Sequence, residues 1–219
     1  MIKPYYSTKL GDLYLGSCED ILPELEQACL VIADPPYGLK ENAYRVANRG
    51  KLAKTTDYGN FDWDSKPASK EEIKATIAAG KNAIIWGGNY FNVEPAKGWL
   101  VWDKLNGKNN FADCELAWTN LKMSVRIFRF MWNGMLRQGE ARGKARVHPA
   151  QKPVELIMWC LSFAPNAKLI LDPYLGSGTT AVACEILGKR WIGIEKEEKY
   201  CAIAAKRIES EASQLKLFT

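Results

Sequence analysis

Leu169-Ile170-Leu171-Asp172-Pro173-Tyr174-Leu175-Gly176-Ser177-Gly178-Thr179-Thr180 decides the fold of this chain. An apolar run stops at an acid and a proline. Two glycines then lead into Thr179-Thr180-Ala181-Val182-Ala183-Cys184-Glu185-Ile186-Leu187, whose spacing predicts a helix. A strand that enters a helix through a glycine turn lets a ligand approach the backbone N–H groups at the helix start. Further along, the alternating Trp191-Ile192-Gly193-Ile194 predicts a strand ending in Glu195, followed by a helix from Glu197 to about Ser213.

Working outward, Leu13 to Gly16, Cys29 to Ala33 and Ala83 to Trp86 read as strands, with a helix between Lys70 and Ala79. Trp99 to Trp102 and Cys114 to Thr119 read as two more, and Pro153 opens a helix over Val154 to Phe163. Strands alternating with helices imply a doubly covered, mostly parallel α/β sheet. The 219 residues suit a single catalytic domain without repeats or linkers. Little periodicity is visible from Lys40 to Lys70, and a mobile or functional loop is expected over about 40–66.

Composition narrows the class. No stretch approaches the roughly 20 apolar residues of a membrane span, and the N-terminus has no apolar signal region, so a cytoplasmic location is expected. Six cysteines without a Cys-x-x-Cys pair, together with one histidine, His148, leave little for a metal site. Net charge is +5, but its distribution is uneven. Eight basic residues from Asn120 to Pro153 face one acid, and five from Gly38 to Lys54 face one acid. Both runs point to a polyanionic partner.

The glycine turn lacks the lysine of a phosphate loop, and its spacing is not that of a dinucleotide fingerprint. An acid at the end of the next strand, Glu195, suits ribose hydroxyls. Glycine turn plus ribose acid fits a nucleoside cofactor without pyrophosphate, S-adenosyl-L-methionine being the obvious one. The second motif, Asp34-Pro35-Pro36-Tyr37, follows the apolar run Cys29 to Ala33, and its two prolines end the strand. Amino groups on nucleobases are poor nucleophiles because the lone pair is delocalised into the ring. Acceptors that hold the N–H protons, here the Asp34 carboxylate and the Pro35 carbonyl, favour a more tetrahedral nitrogen. Tyr37 offers a flat face on which an extruded base can stack.

With these segments in view, the chain resembles the amino-group DNA methyltransferases, which methylate adenine N6 or cytosine N4. The resemblance runs through Leu13 to Cys18, Ala33 to Gly38, His148 to Pro153, Asp172 to Thr180 and Ile192 to Glu195. The catalytic motif precedes the cofactor turn, as in the circularly permuted beta-class. It implies a Rossmann-like fold, with Asp34, Pro35, Pro36 and Tyr37 catalytic. It also implies that Asp172, Tyr174, Gly176, Ser177, Gly178, Thr179 and Thr180 surround the methionine part of the cofactor and that Glu195 binds its ribose. Asp34, Ser17, Cys18, His148 and Gln151 line the same site, and Lys152 is placed toward the cofactor carboxylate. Gly16-Ser17-Cys18 replaces the family's usual Gly-Asp-Cys.

Cytosine C5 is excluded as target because no cysteine follows a proline to act as the thiolate nucleophile. An acid at the head of the tetrad favours adenine within the family, with cytosine N4 second. Double-stranded DNA is the expected partner. Arg126, Arg129, Arg137, Arg142, Lys144 and Arg146 form a recognition insertion over about 120–147, helped by Arg45, Arg49 and Lys51. RNA methylation and a catalytically silent relative are the rival readings. Oligomeric state, monomer or homodimer, and a partner restriction endonuclease remain open, as does a bacterial or phage source.

Overall fold

Strand Ala28–Ala33 (β3) forms because six consecutive apolar side chains can be buried on both faces of a sheet, and it lies at the sheet's centre. The computed structural model describes residues 2–39, 66–106, 112–133, 136–137 and 151–215. Around β3 the strands are Tyr6–Ser7 (β1), Gly11–Leu15 (β2), Gly80–Trp86 (β4), Gly98–Asp103 (β5), Cys114–Thr119 (β6) and Arg126–Arg129 (β7). Trp132–Asn133 (β8) and Leu136–Arg137 (β9) pair as a separate short ribbon. Leu169–Asp172 (β10) and Arg190–Glu195 (β11) complete the set.

Nine strands lie in the order β1-β2-β11-β10-β3-β4-β6-β5-β7. From β2 to β4 all pairings are parallel. β6 runs antiparallel to both β4 and β5, and β7 is parallel to β5. Hence β4, β5 and β7 all point the same way, and their C-terminal ends share one rim. β2 pairs in register with β11, Leu13 opposite Gly193, so the first long strand sits beside the last. The helix Glu198–Leu215 packs back on β2, as the permuted order requires.

Alternation within β3 feeds two cores. Leu30 and Ile32 join one with Ile84, Ile170 and residues of the helices Val154–Ser162 (α3), Thr179–Leu187 (α4) and Glu198–Leu215 (α5). Val31 and Ala33 join the other with Ala83, Ile85 and Leu171, on the face carrying the short helix Cys18–Ile21 (α1) and helix Lys70–Ala78 (α2). A capping box starts α2: Ser69 accepts the Glu72 N–H while the Glu72 carboxylate accepts the Ser69 N–H. Among the described residues no helix is long and apolar enough to cross a membrane.

The predicted elements lie within a few residues of those observed; Cys114–Thr119 and Thr179–Leu187 have the predicted bounds. One expectation needs correcting. Arg126-Ile127-Phe128-Arg129, read as part of an irregular basic insertion, is the ninth strand of the main sheet, paired from Leu100–Arg126 to Asp103–Arg129. Its charges obscured a strand only four residues long. The loop expected at 40–66 lies almost wholly outside the described residues.

Truncating a fully buried side chain on the central strand should be costly. Leu30→Ala is expected to lower stability by about 2–5 kcal/mol, read from denaturant unfolding.

Candidate active site

Asp34 directly follows β3, Trp86 ends β4, Asp172 ends β10 and Glu195 ends β11. From β3 the chain crosses through α2 to β4 on one side; from β10 it crosses through α4 to β11 on the other. The gap between β3 and β10 is therefore where strand order reverses, and ligands bind beyond the strand ends at such points. A cavity of about 190 Å³ opens there, lined among others by Asp34, Trp86, Lys152, Asp172, Leu175 and Glu195.

The Asp34-Pro35-Pro36-Tyr37 loop is held from several sides. Pro36 accepts the Ala68 N–H at 2.9 Å, and Tyr37 forms an isolated bridge with Pro67. The Tyr37 hydroxyl donates to Asp34 Oδ1, and Lys152 Nζ donates to Asp34 Oδ2 at 2.6 Å. Both carboxylate oxygens are thus oriented, each keeping a lone pair for a further donor. Burial raises the Asp34 pKa, with the Lys152 ammonium pulling the other way. Tyr37 is pushed well above the ordinary phenol by burial and by the Asp34 charge, which keeps it a donor. Its ring stacks on Tyr90 at 5.0 Å between centroids and 26° between planes. Gly87, at φ 68°, makes room for that ring: a Cβ there would lie 2.1 Å from it.

Around the glycine turn the acids act as backbone clamps. Asp172 accepts the Tyr174 N–H at 3.0 Å and the Thr180 hydroxyl at 2.6 Å. Glu195 accepts the N–H groups of Gly176 and Glu197, each at 2.8 Å. Gly178 caps α4 at φ 86°, with Ala204 packed where a side chain would go. Arg207 from α5 donates to the Ser177 carbonyl at 2.6 Å and its hydroxyl at 2.8 Å. Ser17 caps α1 by accepting the Asp20 N–H, and the Cys18 thiol lies 3.5 Å from the Tyr174 hydroxyl. A serine at position 17 is therefore occupied in starting that helix.

Six acids (Glu19, Asp34, Glu72, Asp172, Glu195 and Glu197) and two lysines (Lys152 and Lys196) line the cavity, which suits a ligand of net positive charge. Burial lifts the Asp172 carboxyl to about 7 and raises that of Glu195.

The structure thus brings Ser17, Cys18, Asp34, Pro36, Gln151, Lys152, Asp172, Tyr174, Gly176, Ser177, Thr179, Thr180 and Glu195 to one cavity wall, with Pro35, Tyr37 and Gly178 adjoining in the same loops. Lys152 lines the cavity, and its ammonium is held by two carboxylates of the chain itself, Asp34 and Glu115. Exposed Arg126 and Arg129 lie on the edge strand β7, Arg126 at its start and Arg129 at the C-terminal end on the same rim of the sheet, and Arg129 Nε lies 3.5 Å from Asp103. His148, Arg45, Arg49, Lys51, Arg142, Lys144 and Arg146 lie outside the described residues, as does the side chain of Arg137. Sequence reading left Glu115 without a role and did not single out Lys104, Arg207 or Tyr90. Each acts through a partner at least 11 positions away, so no local spacing marks it.

A family described as DNA methylase, of the N6/N4 type, matches residues 118–206. The type II methyltransferase M2.DpnII of Streptococcus pneumoniae is 27% identical, over 96% of this chain and 94% of that protein. M.HinfI of Haemophilus influenzae, also a type II methyltransferase, is 26% identical over 95% of this chain and 71% of its own length. In fold the chain is similar to the M1.HpyAVI–SAM complex, with TM-score 0.57, 20% identity and coverage of 91% and 99%. It is also similar to the cytosine-N4-specific PvuII DNA methyltransferase, with TM-score 0.60, 16% identity and coverage of 97% and 95%.

The Asp172 value predicts a pH dependence. Raised from 3.8 to about 7, it lets the folded protein keep a proton that the unfolded chain loses, so its contribution to stability falls as pH rises through that window. Asp172→Asn removes this slope. Denaturant unfolding at mildly acidic and mildly basic pH should show the variant gaining relative to wild type at the higher pH.

Proposed function

We propose that the chain is an amino-group DNA methyltransferase and that it transfers the methyl group of S-adenosyl-L-methionine to the exocyclic N6 amine of adenine within a short duplex site. The observation that carries this reading is Asp34, fixed at a strand end by Lys152 and Tyr37 and opening onto an acid-lined cavity. The cofactor supplies an electrophilic methyl group on a sulfonium. Its net positive charge fits the six acids and two lysines of the wall, among which Glu195 is proposed to accept from the ribose hydroxyls.

A base inside a duplex must leave the stack to reach Asp34. The remaining lone pairs of the Asp34 carboxylate and the Pro35 carbonyl would accept hydrogen bonds from the two amine N–H groups, which withdraws the nitrogen lone pair from ring conjugation. As nitrogen bonds the methyl carbon, whose bond to sulfur breaks to leave a neutral thioether, one N–H proton of the cationic nitrogen passes to Asp34 and from there to solvent. Tyr37 supplies the stacking face. Tyr90 covers that face here, so a base stacking on Tyr37 takes its place.

Arg126 and Arg129 on the edge strand, with Arg137, Arg142, Lys144 and Arg146, are proposed to hold the DNA, joined by Arg45, Arg49 and Lys51. Because Arg126–Arg129 belongs to the sheet, recognition is proposed to rest on the part of the insertion beyond it. The protein then acts on cytoplasmic DNA as a modification enzyme, with or without a partner endonuclease. The likeness in fold to a cytosine-N4-specific enzyme supports cytosine N4 as the second reading.

Labelled methyl transfer to unmodified duplex DNA, followed by digestion to nucleosides, tests this. N6-methyladenine that disappears in Asp34→Ala is expected; label on cytosine N4 selects the second reading, and label only on RNA rejects both. Tyr37→Phe, which keeps the ring but removes the hydroxyl that orients Asp34, should lower kcat with KM for DNA little changed, whereas Tyr37→Ala should lower kcat/KM for DNA further, by about one to two orders of magnitude, through lost base stacking.

A further inference from the structure

Lys152 lies between two carboxylates from different strand ends. Its Nζ is 2.6 Å from Asp34 Oδ2 and 3.1 Å from Glu115 Oε2, the second contact being ionic with no aligned hydrogen bond. Lys104 donates to the other Glu115 oxygen, and the Trp86 ring lies 5.4 Å from Nζ. The four groups form a chain of alternating charge, Lys104, Glu115, Lys152, Asp34, ending at the Tyr37 hydroxyl. We propose that Glu115, anchored by Lys104, is a positioning residue: it fixes the Lys152 ammonium against Asp34 and so sets the direction and electron density of the carboxylate that receives the target amine. This rests on the methyl-transfer reading of the site.

Two features make Glu115 more than a surface ion pair. Its side chain and that of Lys152 are 26% and 9% exposed, so screening by solvent is limited. Burial alone would raise the Glu115 carboxyl, yet the Lys152 and Lys104 ammoniums bring it down to about 2, so it stays charged wherever the enzyme is folded. A lone lysine between Asp34 and water could swing away or withdraw charge from Asp34 entirely. With Glu115 on its far side the ammonium is shared, and Asp34 remains a strong acceptor. The groups facing Asp34 are Lys152 from the segment before α3, Glu115 from β6, Tyr37 from its own loop and Asp172 from β10. Removing the Glu115 charge lowers the Asp34 pKa, because a nearby negative charge that disfavours ionisation is lost.

Glu115→Gln is expected to lower kcat for methyl transfer by about 10- to 100-fold, the scale of a misplaced catalytic group, with KM for DNA little changed. The acid limb of the kcat profile should move to lower pH, and Glu115→Asp should restore part of the rate. Lys104→Gln, which leaves both acids in place, should shift the same quantities less and carries the test if Glu115→Gln fails to fold by thermal unfolding. Independently of activity, reductive methylation of the purified full chain, mapped by mass spectrometry, should find Lys152 protected in wild type and several-fold more reactive in Glu115→Gln. Wild-type kcat with Lys152 still protected would overturn the proposal, as would a loss confined to KM with the acid limb unmoved. No methyl transfer by the wild type to any nucleic acid would reject the functional reading itself, while the labelling comparison would still decide whether Glu115 holds Lys152.

Discussion

The constraint on which everything else depends is the reversal of strand order between β3 and β10. Both strands are parallel and largely buried, and their crossovers leave in opposite directions on opposite faces of the sheet. No helix start can cover the gap beyond their C-terminal ends. The loops after the two strands are therefore forced to meet across it, and these are the loops that carry Asp34 and Asp172. Asp34 and the glycine turn, separated by well over a hundred residues, become neighbours because of topology, not through any direct bond.

Electrostatics inside the gap divide the labour among the acids. Asp172 and Glu195 spend their hydrogen-bonding capacity on backbone N–H and hydroxyl donors that shape the glycine turn. Asp34 is instead fixed by side chains, a lysine and a phenol. Backbone clamps give a rigid wall of negative potential suited to a cationic ligand. Side-chain partners leave Asp34 with lone pairs directed into the open cavity. The two halves of the site thus differ in what holds them, backbone and hydroxyl donors on one side and charged and phenolic side chains on the other.

Much of this was legible in the chain. The Leu169–Thr180 stretch has the strand, turn and helix it predicts, and Asp34-Pro35-Pro36-Tyr37 stands at the strand end that its prolines require. Local rules suffice there, because proline removes donors and glycine admits left-handed backbone wherever they occur. The edge strand at Arg126–Arg129 was not legible, since four residues with two arginines look basic before they look alternating. The Lys152 motif places that lysine at the cavity, but its contacts with Asp34, just after β3, and Glu115, on β6, are not legible from the motif.

By itself, then, the sequence determined the order of strands and helices, the two loops that bear the chemistry and the type of group each loop presents. Those depend on near neighbours, on turn residues and on period. Only the tertiary structure decided that Glu115 and Lys104 bracket the lysine behind Asp34, that Tyr90 lies on Tyr37 and that Arg207 pins the Ser177 turn. These contacts bring together side chains from separate strands and helices, and their energies depend on burial and distance in space, quantities that no spacing along the chain encodes.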